Sequence, residues 1–161
     1  MEINENSVVR TVLTFKVNDE LFAIDVINVI SILEVCPVTK VPMAPPYIKG
    51  LINHSGNILP LIDLRIRFGL PENNITNDTC IIVLKIKIDN ELVSLGVQVD
   101  SVQDIFEIET QKIESYPSVG TKYNSKFISG VYKTENMLLI LLDLEKFLSN
   151  EKNVFLQSTV S

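Results

Sequence analysis

The chain has 161 residues, of which 46% are hydrophobic and 21% are charged, and its formal net charge is −6. This length supports one core or two small ones without a disulfide framework, and the composition excludes a disordered or fibrous chain. The acidic balance argues against nucleic acid as the main partner, because neutralising phosphates requires clustered Lys and Arg.

Alternation of apolar and polar side chains is the dominant pattern along the chain. Residues 13–17 and residues 93–99 both alternate in this way, which predicts half-buried β-strands. The turn Asn18-Asp19-Glu20 follows the first run, and Asp89-Asn90-Glu91 precedes the second. Asn and Asp supply turn geometry through their own side-chain hydrogen bonds, so each turn predicts a β-hairpin.

Two nearly continuous apolar runs, residues 58–64 and residues 137–144, predict strands that are covered on both faces. Pro60 lies in the first of these runs and has no backbone N–H to donate. We therefore expect an edge strand or a β-bulge at this proline.

Helix is predicted to be scarce and short. Asp63 can cap a single turn of helix that Gly69 then ends. An apolar stripe that begins at Leu144 predicts a short C-terminal helix continuing toward Phe155. Residues 156–161 offer nothing to bury and are expected to form a flexible tail.

An internal repeat relates the two halves of the chain. Tyr47-Ile48-Lys49-Gly50 is followed, thirteen residues after its glycine, by Asp63-Leu64. Phe127-Ile128-Ser129-Gly130 is followed by Asp143-Leu144 at the same distance, a shift of 80 residues. Further upstream, apolar positions between residues 22 and 32 match those between 95 and 105 at a shift of 73. Two copies of one β unit are the economical explanation.

Each copy contains about five short strands, and such a small sheet protects its edges best by curling into a barrel. The sequence therefore predicts an all-β fold of two tandem five-stranded β-barrels with a groove between them and a short C-terminal helix. The approximate subdomains are residues 8–78 and residues 79–148, and exchange of strands between them is left open.

No constellation for catalysis, metal or cofactor binding stands out, so a non-enzymatic protein is predicted. The single histidine, His54, has no HxxxH or HExxH partner and is expected to be exposed in a loop. Cys36 and Cys80 form no CxxC motif and are expected to be free thiols. Four aspartates at strand ends are expected to cap backbone N–H groups: Asp25, Asp63, Asp100 and Asp143.

Membrane insertion and secretion are not predicted either. Residues 1–10 lack the basic and apolar regions of a signal peptide, and no apolar run approaches the roughly 20 residues that span a bilayer. The expected location is the cytoplasm.

The motifs around the first repeat resemble the CheW-type coupling proteins of bacterial chemotaxis. The similarity is carried by Tyr47-Ile48-Lys49-Gly50-Leu51-Ile52-Asn53, by Gly56 and by residues 58–68, and it extends over roughly residues 8–155 as a single CheW-like domain. The resemblance implies two small SH3-like five-stranded barrels and a scaffold without a cofactor.

The resemblance also implies the partners. These are the cytoplasmic tip of membrane chemoreceptors, the regulatory domain of the histidine kinase CheA, and other CheW-like domains arranged in rings within receptor arrays. Transferred by motif, the receptor-binding groove between the barrels comprises Val29, Ser31, Gly50, Asn53, Ser55 and Gly56.

The chain departs from the family pattern at two of these positions. The family usually has Val-x-Glu-Ile where this chain has Val29-Ile30-Ser31-Ile32, and Asn-Leu-Arg-Gly where it has Asn53-His54-Ser55-Gly56. Both charges are replaced by serine, and replacing both members of a partly buried pair can be close to neutral for stability. An ordinary coupler and a divergent one, which binds receptors weakly or recognises a different receptor set, both remain open.

A function of another class is a small-barrel module that binds a small ligand or an oligonucleotide. The acidic charge and the absence of clustered Arg with exposed aromatic residues argue against an oligonucleotide. A small ligand would need a deep pocket with convergent polar groups, and the sequence shows no such set.

Overall fold

The computed structural model describes residues 8–116 and 125–149, and within these ranges β-strands dominate. The strands are β1 (Val9–Val17), β2 (Glu20–Asp25), β3 (Val29–Glu34), β4 (Ile48–His54), β5 (Asn57–Asp63), β6 (Cys80–Ile88), β7 (Glu91–Val99), β8 (Ser101–Glu109), β9 (Ile128–Lys133) and β10 (Leu138–Leu142). The α-helices are α1 (Leu64–Arg67) and α2 (Leu144–Ser149), and short 3-10 turns span Val26–Asn28, Thr110–Lys112 and Ser125–Phe127.

The strands form two five-stranded sheets, so the predicted all-β fold is confirmed. The terminal sheet has the order β8-β1-β2-β10-β9, and the middle sheet has the order β3-β6-β7-β5-β4. Within each sheet one pair is parallel, β2 with β10 and β5 with β7, and the other neighbours are antiparallel. The two sheets therefore share one topology, as two copies of a repeat should.

The sheets do not follow the approximate boundary between residues 78 and 79. The terminal sheet takes β1 and β2 from the first repeat but β8, β9 and β10 from the second, and the middle sheet is assembled in the reciprocal way. Each sheet therefore contains strands from both halves of the chain. Sequence similarity between repeats shows which strands are alike, but it carries no information about which sheet each strand joins.

The chain passes between the sheets at the turn Val26–Asn28 and again at Asp100. The carboxylate of Asp100 is anchored from both sides of this second passage. It accepts a hydrogen bond from the backbone N–H of Asn18 at 2.8 Å and an ion-paired hydrogen bond from Nη1 of Arg65, also at 2.8 Å. The β1–β2 hairpin and α1 are thereby joined across the junction.

Both predicted hairpins are present. Asn18 and Asp19 connect β1 to β2 with φ values of 55° and 65°, and Asp89 and Asn90 connect β6 to β7 with φ values of 50° and 67°. Positive φ at both central residues is the geometry whose twist matches that of the flanking strands, and Asn and Asp tolerate it well.

The aspartates at the strand ends accept backbone hydrogen bonds, as expected. Oδ1 of Asp63 accepts from Arg65 N at 2.9 Å at the start of α1, and Oδ1 of Asp143 accepts from Lys146 N at 3.0 Å in α2. Asp25 accepts similarly from Ile27 N, at 3.1 Å. Together with Asp100, all four carboxylates bind backbone N–H groups.

The two helices are short. α1 ends before Gly69, which has a φ of 81° that glycine adopts without strain. The expected continuation of α2 toward Phe155 and the expected tail 156–161 lie outside the described residues. Neither helix of the described ranges reaches the length or apolarity needed to cross a membrane.

The expectation of an edge strand at Pro60 is wrong, because β5 lies between β7 and β4. Pro60 is opposite Leu51 of β4, whereas pairing with β7 begins only at Leu61. The missing N–H therefore removes no hydrogen bond to β7, and this explains how a proline is accommodated inside a sheet.

Three apolar clusters hold the two barrels. One small cluster fills the terminal barrel and another fills the middle barrel, while the largest lies between the two sheets. The terminal cluster consists of Val12, Ala23, Ile108, Leu139 and Leu141, and the middle cluster consists of Ile52, Leu59, Leu61, Ile81 and Val83. The large shared cluster includes residues that are at most 1% exposed on both sides, such as Phe15, Phe22 and Leu95. The two sheets are consequently packed together through one continuous buried core.

An arginine lies among aromatic rings at this junction. The guanidinium carbon of Arg67 is 4.9 Å from the ring centre of Tyr47, 4.5 Å from that of Phe127 and 5.3 Å from that of Phe147. Tyr47 and Phe127 are equivalent in the repeat, as are Arg67 and Phe147, since each pair is separated by 80 residues. The two repeats therefore meet through matching positions, and a cation–π contact joins them.

Candidate functional site

The six residues predicted for the receptor groove all lie in the middle sheet. Val29 and Ser31 belong to β3, at one end of the strand order, and Gly50 and Asn53 belong to β4, at the other end. Ser55 and Gly56 form the turn between β4 and β5. In a flat sheet these two groups would be separated by three strands.

The curling of the middle sheet brings its first and last strands together. Oγ of Ser31 lies 3.3 Å from Nε2 of His54, within hydrogen-bond distance. We call this meeting of β3 with the β4–β5 hairpin the Ser31–His54 seam. The seam brings Ser31 next to the turn that carries Ser55.

The expectation that His54 is an exposed loop residue is wrong. His54 is the last residue of β4 and is half-buried. Its side chain points to the same side of the strand as the buried residues Ile48, Gly50 and Ile52, because side chains alternate with a period of two. That alternation is the sequence signal that could have identified His54 as an inward-facing residue of the seam.

The turn at the tip of the hairpin is well defined. Oδ1 of Asn53 accepts a hydrogen bond from the backbone N–H of Gly56 at 3.1 Å. Ser55 and Gly56 both have positive φ, 51° and 81°. Asn53, Ser55 and Gly56 are all exposed to solvent.

Gly50 has a structural role in β4 that depends on its lack of a side chain. It is buried, its φ is 151°, and a Cβ placed on it would overlap the carbonyl oxygen of Thr39. Thr39 pairs with Leu51 through two backbone hydrogen bonds of 2.9 Å and 2.7 Å, which cover the outer edge of β4. The glycine is therefore required for this close approach of two backbones.

Val29 is half-buried and packs against the large cluster between the sheets. The exposed apolar side chains near the seam are instead isoleucines that the motif transfer does not include. Ile30 is 53% exposed and Ile32 is 45% exposed on either side of Ser31, and Ile58, opposite Asn53, is 46% exposed. The sequence does not predict that these isoleucines are exposed. Alternation shows which residues share a face of the strand, but it does not show whether that face is buried or exposed to solvent.

An open cleft of about 340 Å³ lies at the junction of the sheets and contains none of the six residues. Its lining includes Arg10, Asp25, Lys87, Ser129 and Asp143, and Arg10 is paired with Asp25 at 3.4 Å. The polar groups of this cleft are open to solvent rather than convergent in an enclosed space, which does not favour a small-ligand module. In the described part of the chain, no group of three or more His, Cys, Asp or Glu side chains is arranged to hold a metal ion.

A buried carboxylate lies close to the hairpin, at the end of β5. Asp63 is 3% exposed, and Nζ of Lys49 approaches its Oδ2 to 3.8 Å and Oε1 of Glu72 to the same distance. Burial raises the pKa of Asp63 above its ordinary value of 3.8, and the attraction of Lys49 and the hydrogen bond from Arg65 N oppose this rise without cancelling it.

We expect the stability contributed by Asp63 to depend on pH. A raised pKa means that the folded chain binds a proton more readily than the unfolded chain, so the free energy of unfolding falls as pH rises from 3.8 through the folded pKa. Asp63→Asn retains a capping oxygen without a charge and should not show this fall. Urea denaturation of both proteins across this pH range measures the effect, with Asp143→Asn as the matched control at the second repeat. A difference between wild type and Asp63→Asn that is constant with pH would contradict the prediction.

Comparisons with known proteins agree with this architecture. Residues 11–152 match the family model of the CheW-like domain. The chain is 36% identical over 141 residues to the chemotaxis protein CheW of Bacillus subtilis, covering 88% of each protein, and 30% identical to CheW of Treponema pallidum, covering 86% of this chain and 82% of that one. The crystal structure of the scaffolding protein TtCheW from Thermoanaerobacter tengcongensis is similar with a TM-score of 0.77 and 28% identity, covering 92% of this chain and 93% of that chain. This chain belongs to the CheW-like domain family.

Proposed function

We propose that this protein is a chemotaxis adaptor that couples a chemoreceptor tip to the regulatory domain of the histidine kinase CheA. The observation that carries the proposal is the family match over residues 11–152, which takes in both barrels and the exchange between them. The adaptor function itself follows from membership of this family, and the two named partners are the proposal's finer part. The alternative of a small-ligand or oligonucleotide module is not favoured.

The receptor contact is proposed at the Ser31–His54 seam. Asn53, Ser55 and Gly56 are exposed there, and the adjoining isoleucines Ile30 and Ile58 add apolar surface. A helix that presents an apolar face could bury these side chains, and burial of apolar area is the usual driving force for such an association. No cofactor or catalytic step is required for a contact of this kind.

The kinase contact is proposed on the strand edges and apolar tips of the barrels, which would also meet neighbouring CheW-like domains in rings. Ile105 of β8 is 61% exposed, Leu92 beside the β6–β7 turn is 64% exposed, and Leu138 at the start of β10 is 49% exposed. These side chains lie outside the three apolar clusters. The proposed place of action is the cytoplasmic side of membrane receptor arrays.

We expect two repeat-equivalent substitutions to separate the two contacts. Ile58 and Leu138 occupy equivalent positions 80 residues apart and are similarly exposed, at 46% and 49%. Ile58→Glu should weaken binding of a receptor-tip fragment about tenfold, or ~1.4 kcal/mol, and leave binding of the CheA regulatory domain unchanged. Leu138→Glu should do the reverse. Calorimetric titration near physiological salt measures both, and the two variants control for each other.

Binding of the wild-type protein to both partners supports the adaptor proposal. Binding to the kinase domain alone would restrict the proposal to the kinase contact. If the wild-type protein bound neither partner, the proposal would be overturned for that receptor–kinase system.

A further inference from the structure

A fully exposed methionine lies at the apex of the loop between β3 and β4. Met43 has a relative exposure of 103%, the highest among the large apolar residues that the structure describes as exposed. A relative exposure near 100% means that the rest of the protein covers none of the side chain. The thioether of Met43 is therefore as accessible to a dissolved reagent as it would be in an unfolded chain.

The loop that carries this methionine is held at both ends. Before the apex, Thr39 pairs with Leu51 through two backbone hydrogen bonds of 2.9 Å and 2.7 Å. After the apex, the backbone N–H of Ile48 donates to the carbonyl oxygen of Pro45 at 2.9 Å. Prolines occupy three of the five positions 42–46, and each one restricts rotation of the backbone. The loop is thus a defined part of the fold.

The backbone of Met43 adopts a conformation that a residue with a side chain rarely adopts. Its φ is 63°, in the left-handed region, which costs roughly 1 kcal/mol for a residue of this type. The backbone N–H of Ala44 donates to the carbonyl oxygen of Val41 at 3.4 Å and closes the turn around it. The exposure of the thioether is therefore a property of the folded loop.

A thioether in this position is open to one covalent change, oxidation to a sulfoxide. A lone pair of the sulfur attacks one oxygen of hydrogen peroxide, so that an S–O bond forms as the O–O bond breaks. The proton of the transferred hydroxyl passes to the departing oxygen, which leaves as water. The sulfur loses two electrons and the peroxide gains them. A methionine sulfoxide reductase reverses the change with two thiols, which become a disulfide while the oxygen leaves as water.

The other methionine in the described ranges has a different environment. Met137 is half-buried in the turn before β10. Its backbone N–H donates to Oγ1 of Thr134 at 3.0 Å, and its carbonyl oxygen accepts from the backbone N–H of Thr134 at 2.9 Å. Part of its surface is therefore protected from a dissolved oxidant. Met1 lies outside the described residues.

We propose that Met43 is a site of reversible oxidation, at which a peroxide adds one oxygen and a thiol-dependent reductase removes it while the fold stays intact. The inference does not depend on the adaptor function. Since no other residue covers the side chain, the sulfoxide disturbs no packing and buries no polar group, in contrast to oxidation in a core. Oxidation replaces an apolar projection of this loop by a strong hydrogen-bond acceptor.

Timed exposure of the full chain to hydrogen peroxide, followed by peptide mapping with mass spectrometry, tests the accessibility of the site. Met43 in the folded chain should react within about twofold of its rate in the urea-unfolded chain, whereas folding should slow Met137 about threefold or more, because susceptibility follows exposure. Incubation of the oxidised, folded chain with a methionine sulfoxide reductase and a dithiol should return the Met43 peptide to its original mass.

Urea denaturation tests whether the fold tolerates the change. Peroxide can also attack Cys36 and Cys80, which are free thiols, and Met43→Leu retains both while lacking the thioether. Oxidation should therefore shift the urea midpoint of the wild type no more than that of Met43→Leu. Equal protection of the two methionines by folding, a Met43 sulfoxide that resists the reductase, or a midpoint lowered by oxidation only in the wild type would each overturn the inference.

Discussion

Replacing Gly50 by alanine is expected to destabilise the protein by roughly 3 kcal/mol or more, through backbone strain combined with a steric clash. The new Cβ would overlap the carbonyl oxygen of Thr39 and lie 2.8 Å from its carbonyl carbon. Thr39 cannot retreat without breaking its two hydrogen bonds to Leu51. The φ of 151° at Gly50 is, in addition, a conformation that residues with a side chain rarely adopt.

Two other glycines separate these contributions when urea denaturation of each alanine variant is compared. Gly56 has a φ of 81° and no heavy atom within 4 Å of where an added methyl would lie, so Gly56→Ala should cost only about 1 kcal/mol, from strain alone. Gly130 is the repeat equivalent of Gly50, and its Cβ would meet Ile113 Cγ2 at 2.6 Å and the carbonyl oxygen of Glu114 at 2.8 Å. We expect an intermediate loss there. Equal losses for Gly50→Ala and Gly56→Ala would show that the approach of Thr39 is not what requires the glycine.

Arg67→Ala is expected to lower the free energy of unfolding by about 2–4 kcal/mol, because it removes both a cation–π contact and the packing of a long side chain. The guanidinium lies within 5.3 Å of three ring centres, and these rings come from both repeats. The loss should therefore appear in unfolding of the whole chain rather than of one barrel. Chemical denaturation followed by fluorescence and by circular dichroism should give coincident transitions.

Two further substitutions of Arg67 test which property of its side chain stabilises the protein. Arg67→Lys retains the charge but not the planar group and should recover part of the loss, whereas Arg67→Met restores only apolar volume. Lys85→Ala, at an exposed position of β6, removes a positive charge away from the junction and should change stability by no more than about 0.5 kcal/mol. A comparable loss for Lys85→Ala and Arg67→Ala would indicate an effect of net charge instead of the aromatic contacts.

The features that could be predicted from the sequence are those with local causes. The turns at Asn18-Asp19 and Asp89-Asn90 follow from the tolerance of these residues for positive φ, and α1 follows from the cap at Asp63. The five-stranded units follow from the repeat and the apolar periodicity together. In each case the residues that determine the structure lie within a few positions of the structure they determine.

The features that could not be predicted depend on contacts between distant segments. Ile32 and Ile105 are equivalent in the repeat, yet β3 joins the middle sheet and β8 joins the terminal sheet, so no property of the two strands alone reveals the exchange. The need for a glycine at position 50 follows from the close approach of the Thr39 backbone, which is evident only in the folded structure. The position of His54 in the seam depends on Ser31, which lies 23 residues earlier in the chain.

The same reasoning applies to the candidate site. Motif transfer identifies the sheet and both segments of the seam, but it groups residues of different kinds. Gly50 is buried and packs closely against the backbone of Thr39, whereas Asn53 and Ser55 are exposed at the tip of the hairpin. Motif transfer does not identify the exposed isoleucines near the seam. Their exposure depends on which strand faces the rest of the fold leaves uncovered.

The reciprocal placement of strands has a mechanical consequence for an adaptor. The polypeptide crosses from one barrel to the other at Val26–Asn28 and returns at Asp100, and each barrel is completed by strands of both repeats. Two short connections therefore join the barrels in place of a single linker, and each is anchored by an aspartate that accepts backbone hydrogen bonds, Asp25 at the first and Asp100 at the second. A partner held on the middle barrel and a partner held on the terminal barrel would be kept at a set distance and angle. Two partners bound in this way would therefore move together as one rigid unit.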